Sequence, residues 1–360
     1  MRVLVRVDGS PRMGGGHALR CLTLANALAR RGAQVQFVCA QMIPAAAERI
    51  LRAGHRLRMI APPASATADR DDWDLALHAD ADQRLDAERT RAVADGEPDW
   101  IVIDHYGLDR RWQAAARGGA RIAVIDDLAN RPHDCDLLLD QNFGRNEADY
   151  RALVPDSCRI LAGPRFALLR PEFAEARAAA LERRNRDGPA RRLLVSLGST
   201  DVGGITGRVL REIVAANLAL AIDVVLGSAA PSFDKVCDLA ATHPNVTVHS
   251  DPDSLAELMV AADLAIGAAG TTSWERCCLG LPTLCLALAA NQRRAAEELE
   301  RAGVHRLVRA DEPDALRAAL RELAEDETAR RELAAKSTEV CDGLGADRTL
   351  GHFLSERHDR

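Results

Sequence analysis

Arg6-Val7-Asp8-Gly9-Ser10-Pro11-Arg12-Met13-Gly14-Gly15-Gly16-His17, continued by Ala18-Leu19-Arg20-Cys21, decides how the rest of the chain is read. Ahead of it, Val3-Leu4-Val5 has the β-branched, apolar character of a short buried strand. Asp8 to Pro11 carries turn chemistry, and the three glycines lead into Leu19, Leu22, Leu24 and Leu28, a spacing that predicts a helix. His17 is thereby placed in the first turn of a helix, just past the carboxyl end of a strand, where open α/β sheets bind ligands. Glycine lets a substrate approach the backbone, and a helix N-terminus favours an anion. A histidine there titrates near neutral pH, as a general base must. The same residues also fit a plain tight turn with a histidine that hydrogen-bonds at a helix start. The contiguous glycines do not make a dinucleotide fingerprint, with no acidic residue closing a second strand about 20 residues on, and no Lys-Ser/Thr makes a P-loop.

The rhythm set by this stretch repeats. Strands are expected at Gln34 to Ala40, His55 to Ile60, Trp100 to Ile103 and Arg121 to Ile125, with helices at Ile43 to Ala53, Gln83 to Asp95 and Leu108 to Arg117. Ala61 to Asp74 reads as a loop and Asn130 to Leu169 as less regular. Three strands end in polar clusters: Asp8, then Asp104-His105-Tyr106, then Asp126-Asp127. Pro171 to Arg184 is a further helix, and Asn185-Arg186-Asp187-Gly188-Pro189 is the best linker. A second series begins with Leu193 to Leu197 and Gly198-Ser199. Its later strands are expected at Ala221 to Leu226, Val246 to His249, Leu264 to Gly267, Thr283 to Leu286 and His305 to Val308. The fold class is therefore α/β: two doubly wound, Rossmann-like domains, 1–188 and 189–345, with a tail, 346–360, and an interdomain cleft to take a ligand.

Length and composition describe an ordinary globular protein long enough for two domains. The chain has 360 residues, 47% hydrophobic and 28% charged, with a formal net charge of -6. That charge argues against nucleic acid or an anionic membrane surface as partner. The nine cysteines include no C-x-x-C pair and fit reduced core residues of a cytoplasmic protein. Met1-Arg2-Val3-Leu4 is too short an apolar run for a signal peptide, and stable membrane association is not expected. Asp126-Asp127 has no histidine at ligand spacing, so no metal is expected and a structural role for the pair is favoured.

Ala269-Gly270-Thr271-Thr272-Ser273-Trp274-Glu275 is the second stretch with chemistry in it. Gly270 frees the backbone, while Thr271, Thr272 and Ser273 offer hydroxyls beside helix N-terminal N–H groups, as a diphosphate requires. An ordinary Ser/Thr cap is the plain alternative. Glu275 is placed to bond a ribose diol or to stand in solvent. Asn291-Gln292 suits sugar hydroxyl or acetamido groups, or serves to start the next helix.

Taken together these residues resemble one family. The resemblance is carried by Asp8-Gly9-Ser10 with Gly16-His17-x-x-Arg20-Cys21, Asp104-His105-Tyr106-x-x-Asp109, Ile125 to His133, Asp140-Gln141-Asn142, Gly163 to Phe173 and Ala269 to Glu275. The family is the UDP-2,4-diacetamido-2,4,6-trideoxy-β-L-altropyranose hydrolases of pseudaminic acid biosynthesis, which supply flagellin glycosylation. It is similar to the UDP-N-acetylglucosamine transferase of peptidoglycan assembly, and it implies the GT-B fold. Ser199 and Ala290 depart from its pattern. The resemblance implies a monomer that needs no cofactor or metal and acts on a UDP-sugar. His17 is its catalytic residue, Tyr106 and Asn291 flank the sugar, and Glu275 belongs to the UDP site. Asp8, Gly14, Gly16, Gly198, Gly270, Thr271, Thr272, Ser273 and Gln292 are the further substrate-binding candidates. His105 and His133 are expected at the surface or behind the site. The alternatives on the same fold are a glycosyltransferase using a UDP-amino sugar and a UDP-sugar hydrolase that also epimerises C2.

Overall fold

The computed structural model describes residues 1–10, 15–62, 77–288 and 290–354. The chain divides into two compact units, Met1–Leu168 completed by the segment from Gly345, and Leu169–Leu344.

In the first unit, β1 (Arg2–Val7), α1 (Gly16–Ala29), β2 (Gln34–Cys39), α2 (Pro44–Arg52) and β3 (Arg56–Met59) come first. They are followed by α3 (Asp80–Ala92), β4 (Trp100–Asp104), α4 (Arg110–Arg117) and β5 (Arg121–Ile125). Two four-residue strands, β6 (Leu137–Asp140) and β7 (Arg159–Ala162), extend the sheet. Strand order is β3-β2-β1-β4-β5-β6-β7, and every pairing is parallel. Parallel sheets are covered on both faces, so their strands are apolar on both sides. Val3, Val5 and Val7 face one core with Phe37, Val102 and Ile125; Leu4 faces the other with Ile101, Ile103 and Val124. Arg6 shares the Leu4 face and is fully buried in that second core.

The chain runs outward from β1 in both directions, to β2 on one side and β4 on the other, with Val7 paired to Asp104. Such a reversal of strand order opens a crevice beyond the carboxyl ends. α1 starts just beyond β1, and Asp104 closes β4, so the fold brings His17 and Asp104 to the same rim.

The second unit opens with α5 (Pro171–Arg184) and holds the parallel sheet β10-β9-β8-β11-β12-β13. Its strands are β8 (Arg192–Ser196), β9 (Ala221–Leu226), β10 (Val246–Ser250), β11 (Leu264–Ala268), β12 (Thr283–Leu286) and β13 (Arg306–Leu307). Its remaining helices are α6 (Ile205–Ala215), α7 (Phe233–Ala241), α8 (Ala256–Ala261), α9 (Thr272–Cys278), α10 (Ala290–Arg301), α11 (Pro313–Glu325) and α12 (Glu327–Val340). The reversal here lies between β8 and β11, whose ends carry Gly198 and Gly270.

The units meet in sequence after Leu168, ahead of the 185–189 linker read from composition. The reason is α5. Arg177 donates to the carbonyls of Thr338 and Cys341, both at 3.0 Å, and Arg184 to those of Met259 (2.7 Å) and Ala262 (2.5 Å). These guanidinium groups satisfy carbonyls at the ends of α8 and α12, where helices leave them unpaired. Conversely α13 (Gly345–Leu354) packs Ala346, Leu350 and Phe353 into the first unit's core. The Phe353 ring lies 4.6 Å from that of Trp100, whose indole N–H donates to the Phe353 carbonyl at 3.3 Å. Among the described residues no helix is long and apolar enough to cross a membrane.

Phe353→Ala leaves a cavity under α1 and should destabilise the first unit by about 3–5 kcal/mol. Urea denaturation of the full chain checks this; a midpoint equal to that of the native chain would mean α13 adds nothing to that core.

Candidate active site

At the rim of the first unit, His17 stands on the first turn of α1 and is 9% exposed. Its Nδ1 lies 2.6 Å from Asp104 Oδ1, and its ring meets that of Tyr106 edge-on at 4.9 Å. Arg20, one helical turn on, points the same way because residues three apart share a helix face. Its guanidinium lies between two carboxylates. Nε and Nη2 donate to Asp104 at 2.6 and 2.7 Å, and Nη1 and Nη2 donate to Asp127 at 2.9 and 2.8 Å. Asp127 Oδ2 also accepts the Tyr106 hydroxyl at 2.9 Å. One carboxylate therefore ties together the groups that flank the rim.

Burial alone would raise the Asp104 and Asp127 carboxyls, but the Arg20 charge and its hydrogen bonds hold Asp104 well below the usual carboxylate range and lower Asp127 as well. Asp104 is thus an anion 2.6 Å from Nδ1, and with the ring proton on Nδ1 the imidazole's basic nitrogen is Nε2. A carboxylate behind a histidine in this way fixes ring orientation and favours the imidazolium as it forms.

Beneath this layer lies Asp8. It is 1% exposed, and its carboxylate accepts from Arg6 at 2.5 and 3.1 Å, from the Ala40 N–H at 2.7 Å and from His105 Nε2 at 3.1 Å. Asp8 is consequently a support of the β1 turn, with its oxygens occupied from within the unit. Arg6 continues to Asp86 at 2.7 and 3.0 Å, and Asp86 also accepts the Trp112 indole N–H at 2.7 Å. His105 and His133 are buried, not at the surface. His105 Nδ1 accepts the Gly107 N–H at 2.9 Å, which places its proton on Nε2, toward Asp8. Burial holds His133 neutral, its titration lowered to about 4.

Next to Asp127 a second acidic group, Asp140, closes the rim; its motif carried the resemblance, but the sequence assigned it no role. Asn142 Nδ2 bridges Asp127 Oδ1 (3.0 Å) and Asp140 Oδ1 (2.8 Å). The buried Tyr150 hydroxyl lies 2.7 Å from Asp140 Oδ2 and 3.0 Å from Asp126 Oδ2. One phenolic proton cannot serve two carboxylates. Burial, reinforced by the charges of Asp127 and Asp126, pushes Asp140 up to about 7. A proton on Asp140 resolves the conflict, because Asp140 then donates to Tyr150 and Tyr150 to Asp126.

In the second unit, Gly270 follows β11 and Thr271 caps α9 with no side-chain cap bond. Arg276, 3% exposed, holds this loop: it donates to the Ala268 carbonyl (2.8 Å), Ser273 Oγ (3.1 Å) and Thr272 Oγ1 (3.1 Å). Ser273 is buried as well, so its hydroxyl braces the loop, while Thr271 and Thr272 are half-buried and Thr271 makes no side-chain cap bond. Gly267 makes room for Arg276, since a Cβ there would lie 2.4 Å from Nη1. Glu275 is 9% exposed, and Arg170 Nη2 lies 3.8 Å from its Oε1. Gln292 Oε1 accepts the Leu288 N–H at 3.1 Å. Gly198 is exposed with φ +104°, a conformation that favours glycine. Gly16 opens α1; Gly14 and the Asn291 side chain lie outside the described residues.

The fold and these two rims define a class: two Rossmann-like units of the GT-B kind. Residues 193–345 match the model of the glycosyltransferase family 28 C-terminal domain. The chain is 25% identical over 305 residues to a UDP-2,4-diacetamido-2,4,6-trideoxy-β-L-altropyranose hydrolase of Campylobacter jejuni, covering 84% of this chain and 97% of that protein. The resemblance read from the motifs thus extends over most of both chains. Among solved structures, Acinetobacter baumannii MurG superimposes with a TM-score of 0.65 at 17% identity, over 98% of this chain and 99% of that one. The UDP-GlcNAc 2-epimerase of Neisseria meningitidis, bound to UDP-GlcNAc, does so with a TM-score of 0.66 at 13% identity, over 99% and 100%.

The raised Asp140 carboxyl has a sign that can be measured. The folded chain keeps a proton there that the unfolded carboxyl releases near pH 4, so Asp140 lowers stability progressively from about pH 4 to about pH 7. Asp140→Asn removes that dependence and still offers Tyr150 a donor, its amide N–H. The stability of D140N relative to the native chain should therefore climb across that window, as followed by urea unfolding; His133, which acts in the opposite sense, is common to both. A difference independent of pH would contradict the proton on Asp140.

Proposed function

We propose that the chain is an inverting UDP-sugar hydrolase whose general base is His17. The substrate it would take is UDP-2,4-diacetamido-2,4,6-trideoxy-β-L-altropyranose, released as UDP and the free sugar for pseudaminic acid biosynthesis. The observation that carries the reading is the His17–Asp104 pair at the strand-end rim, with Nδ1 committed to a carboxylate. The likeness to the Campylobacter hydrolase over 97% of that protein's length supports the choice of substrate.

In this reading water attacks C1 from the face opposite the diphosphate. The C1–O bond breaks, UDP leaves with the electron pair, and the water's proton passes to His17 Nε2. Asp104 holds the imidazolium that forms. UDP is an acidic leaving group, so a second carboxylate acting as general acid is not required, in contrast to most glycosidases. The second unit's Gly270–Glu275 segment, with Gly198 and Gln292, is assigned to the UDP, and Tyr106 and Asn291 to the acetamido sugar. Gly14 and Gly16 would let the sugar approach the backbone. Preorganised donors at the diphosphate stabilise charge where it develops.

His17→Asn should lower kcat by about 10²–10⁴-fold and leave UDP affinity by calorimetry within a few-fold of the native chain. Affinity lost in parallel with activity would make His17 a diphosphate ligand instead. Incubation with the UDP-diacetamido sugar in the absence of any acceptor, with the fresh product's anomer read by NMR, separates hydrolysis with inversion from glycosyl transfer and from C2 epimerisation.

A further inference from the structure

Nδ1 of His17 has two neighbours of opposite kind. Asp104 Oδ1, 2.6 Å away, can only accept; Arg20 Nη2, 3.1 Å away, can only donate. Whichever dominates decides the tautomer of the neutral ring. If Asp104 dominates, Nδ1 carries the proton and Nε2 a lone pair. If Arg20 dominates, Nδ1 is the acceptor, the proton sits on Nε2, and the ring has no base to offer at the rim.

Nη2 has two N–H bonds. One is directed at Asp104 Oδ1 (2.7 Å) and the other at Asp127 Oδ2 (2.8 Å). Both acceptors are anions, and such charge-assisted bonds are stronger than a bond to a neutral ring nitrogen. We propose that Asp127 fixes the tautomer of His17: by engaging the second N–H of Arg20 Nη2, it keeps that group from donating to Nδ1. Asp127 is a positioning residue, acting on the imidazole only through Arg20. Its grip is firm because it holds Nη1 as well (2.9 Å) and is itself held by Asn142 Nδ2 (3.0 Å) and by the Tyr106 hydroxyl (2.9 Å). Among the described residues, the titratable and charged groups around the ring are Arg20 from α1, Asp104 and Tyr106 from β4 and its end, and Asp127 from the end of β5, while the Cys21 thiol lies 3.5 Å from Asp104. The Asp140–Arg145 pair, 3.4 Å apart, lies behind Asp127.

The catalytic meaning of this assignment rests on His17 being the base, but the tautomer itself is measured without turnover. Nitrogen-15 NMR of the labelled full-length chain distinguishes protonated from unprotonated ring nitrogens. It is recorded over a pH series extended until the ring-nitrogen shifts of residue 17 no longer change, so that the neutral ring is compared in every variant. The native chain should show the proton on Nδ1. In Asp127→Ala it should move to Nε2, with kcat reduced about 10²-fold or more and KM within a few-fold. Asp127→Glu should restore Nδ1–H and most of kcat. Tyr106→Phe, which also removes a bond to Asp127 but leaves Arg20 engaged, should keep the native tautomer. If the alanine variant does not fold, Asp127→Ser makes the same comparison. Nδ1–H persisting without the Asp127 carboxylate overturns the inference, whatever the activity. A tautomer that switches while turnover stays native upholds it and sinks the reading of His17 as base.

Discussion

A single guanidinium carries the rim of the first unit. Arg20 lies between Asp104 and Asp127 and spends four hydrogen bonds on them, each at 2.9 Å or less. Taking three charges out of water is costly, and a buried ion pair is weak evidence for stability. What this arrangement supplies is geometry. The planar fork matches a carboxylate on either side, a task lysine cannot perform. It converts the ends of three separate elements, α1, β4 and β5, into one surface with fixed positions for His17 and Tyr106. The net charge of the two carboxylates and one guanidinium is -1, which an imidazolium would balance.

Below it, Arg6 repeats the device inside the sheet, between Asp8 and Asp86. An arginine at the centre of a parallel strand breaks the apolar pattern expected there. Its partners are Asp8, just after β1, and Asp86 from α3, so the charge ties the end of β1 to that helix. Asp8 is sealed from solvent because Arg6, the Ala40 N–H and His105 occupy its oxygens.

The architecture was legible because alternating strands and helices leave a strong periodic trace, and the glycine run marked where α1 begins. His17 at the helix start, Asp104 at the end of β4 and Asp127 after β5 could each be placed from that trace. Their joining could not, because Arg20 and Asp127 are 107 positions apart and an arginine on an α-helix looks like any solvated one. β6 and β7 escaped notice for a simpler reason: three apolar residues such as Leu137-Leu138-Leu139 carry no period that separates strand from helix. The boundary between units was misleading in composition, since Asn185 to Pro189 has the residues of a linker while α5 is claimed by carbonyls far along the chain. In the second unit, nothing in the run Thr271-Thr272-Ser273 announces that Arg276 donates to the Ser273 hydroxyl from one helical turn on.

The return of α13 has a consequence for biosynthesis. The first unit's core includes Ala346, Leu350 and Phe353, residues separated from the rest of that core by the entire second unit. A ribosome emits chain at about 5–20 residues per second. The N-terminal sheet thus emerges first but must wait for some 176 intervening residues before its last wall arrives. The second unit, contiguous in sequence, can close while the first still has an apolar flank uncovered. Order of synthesis and order of completion are inverted in this molecule, and the interval is when the exposed flank of α1 is open to chaperones.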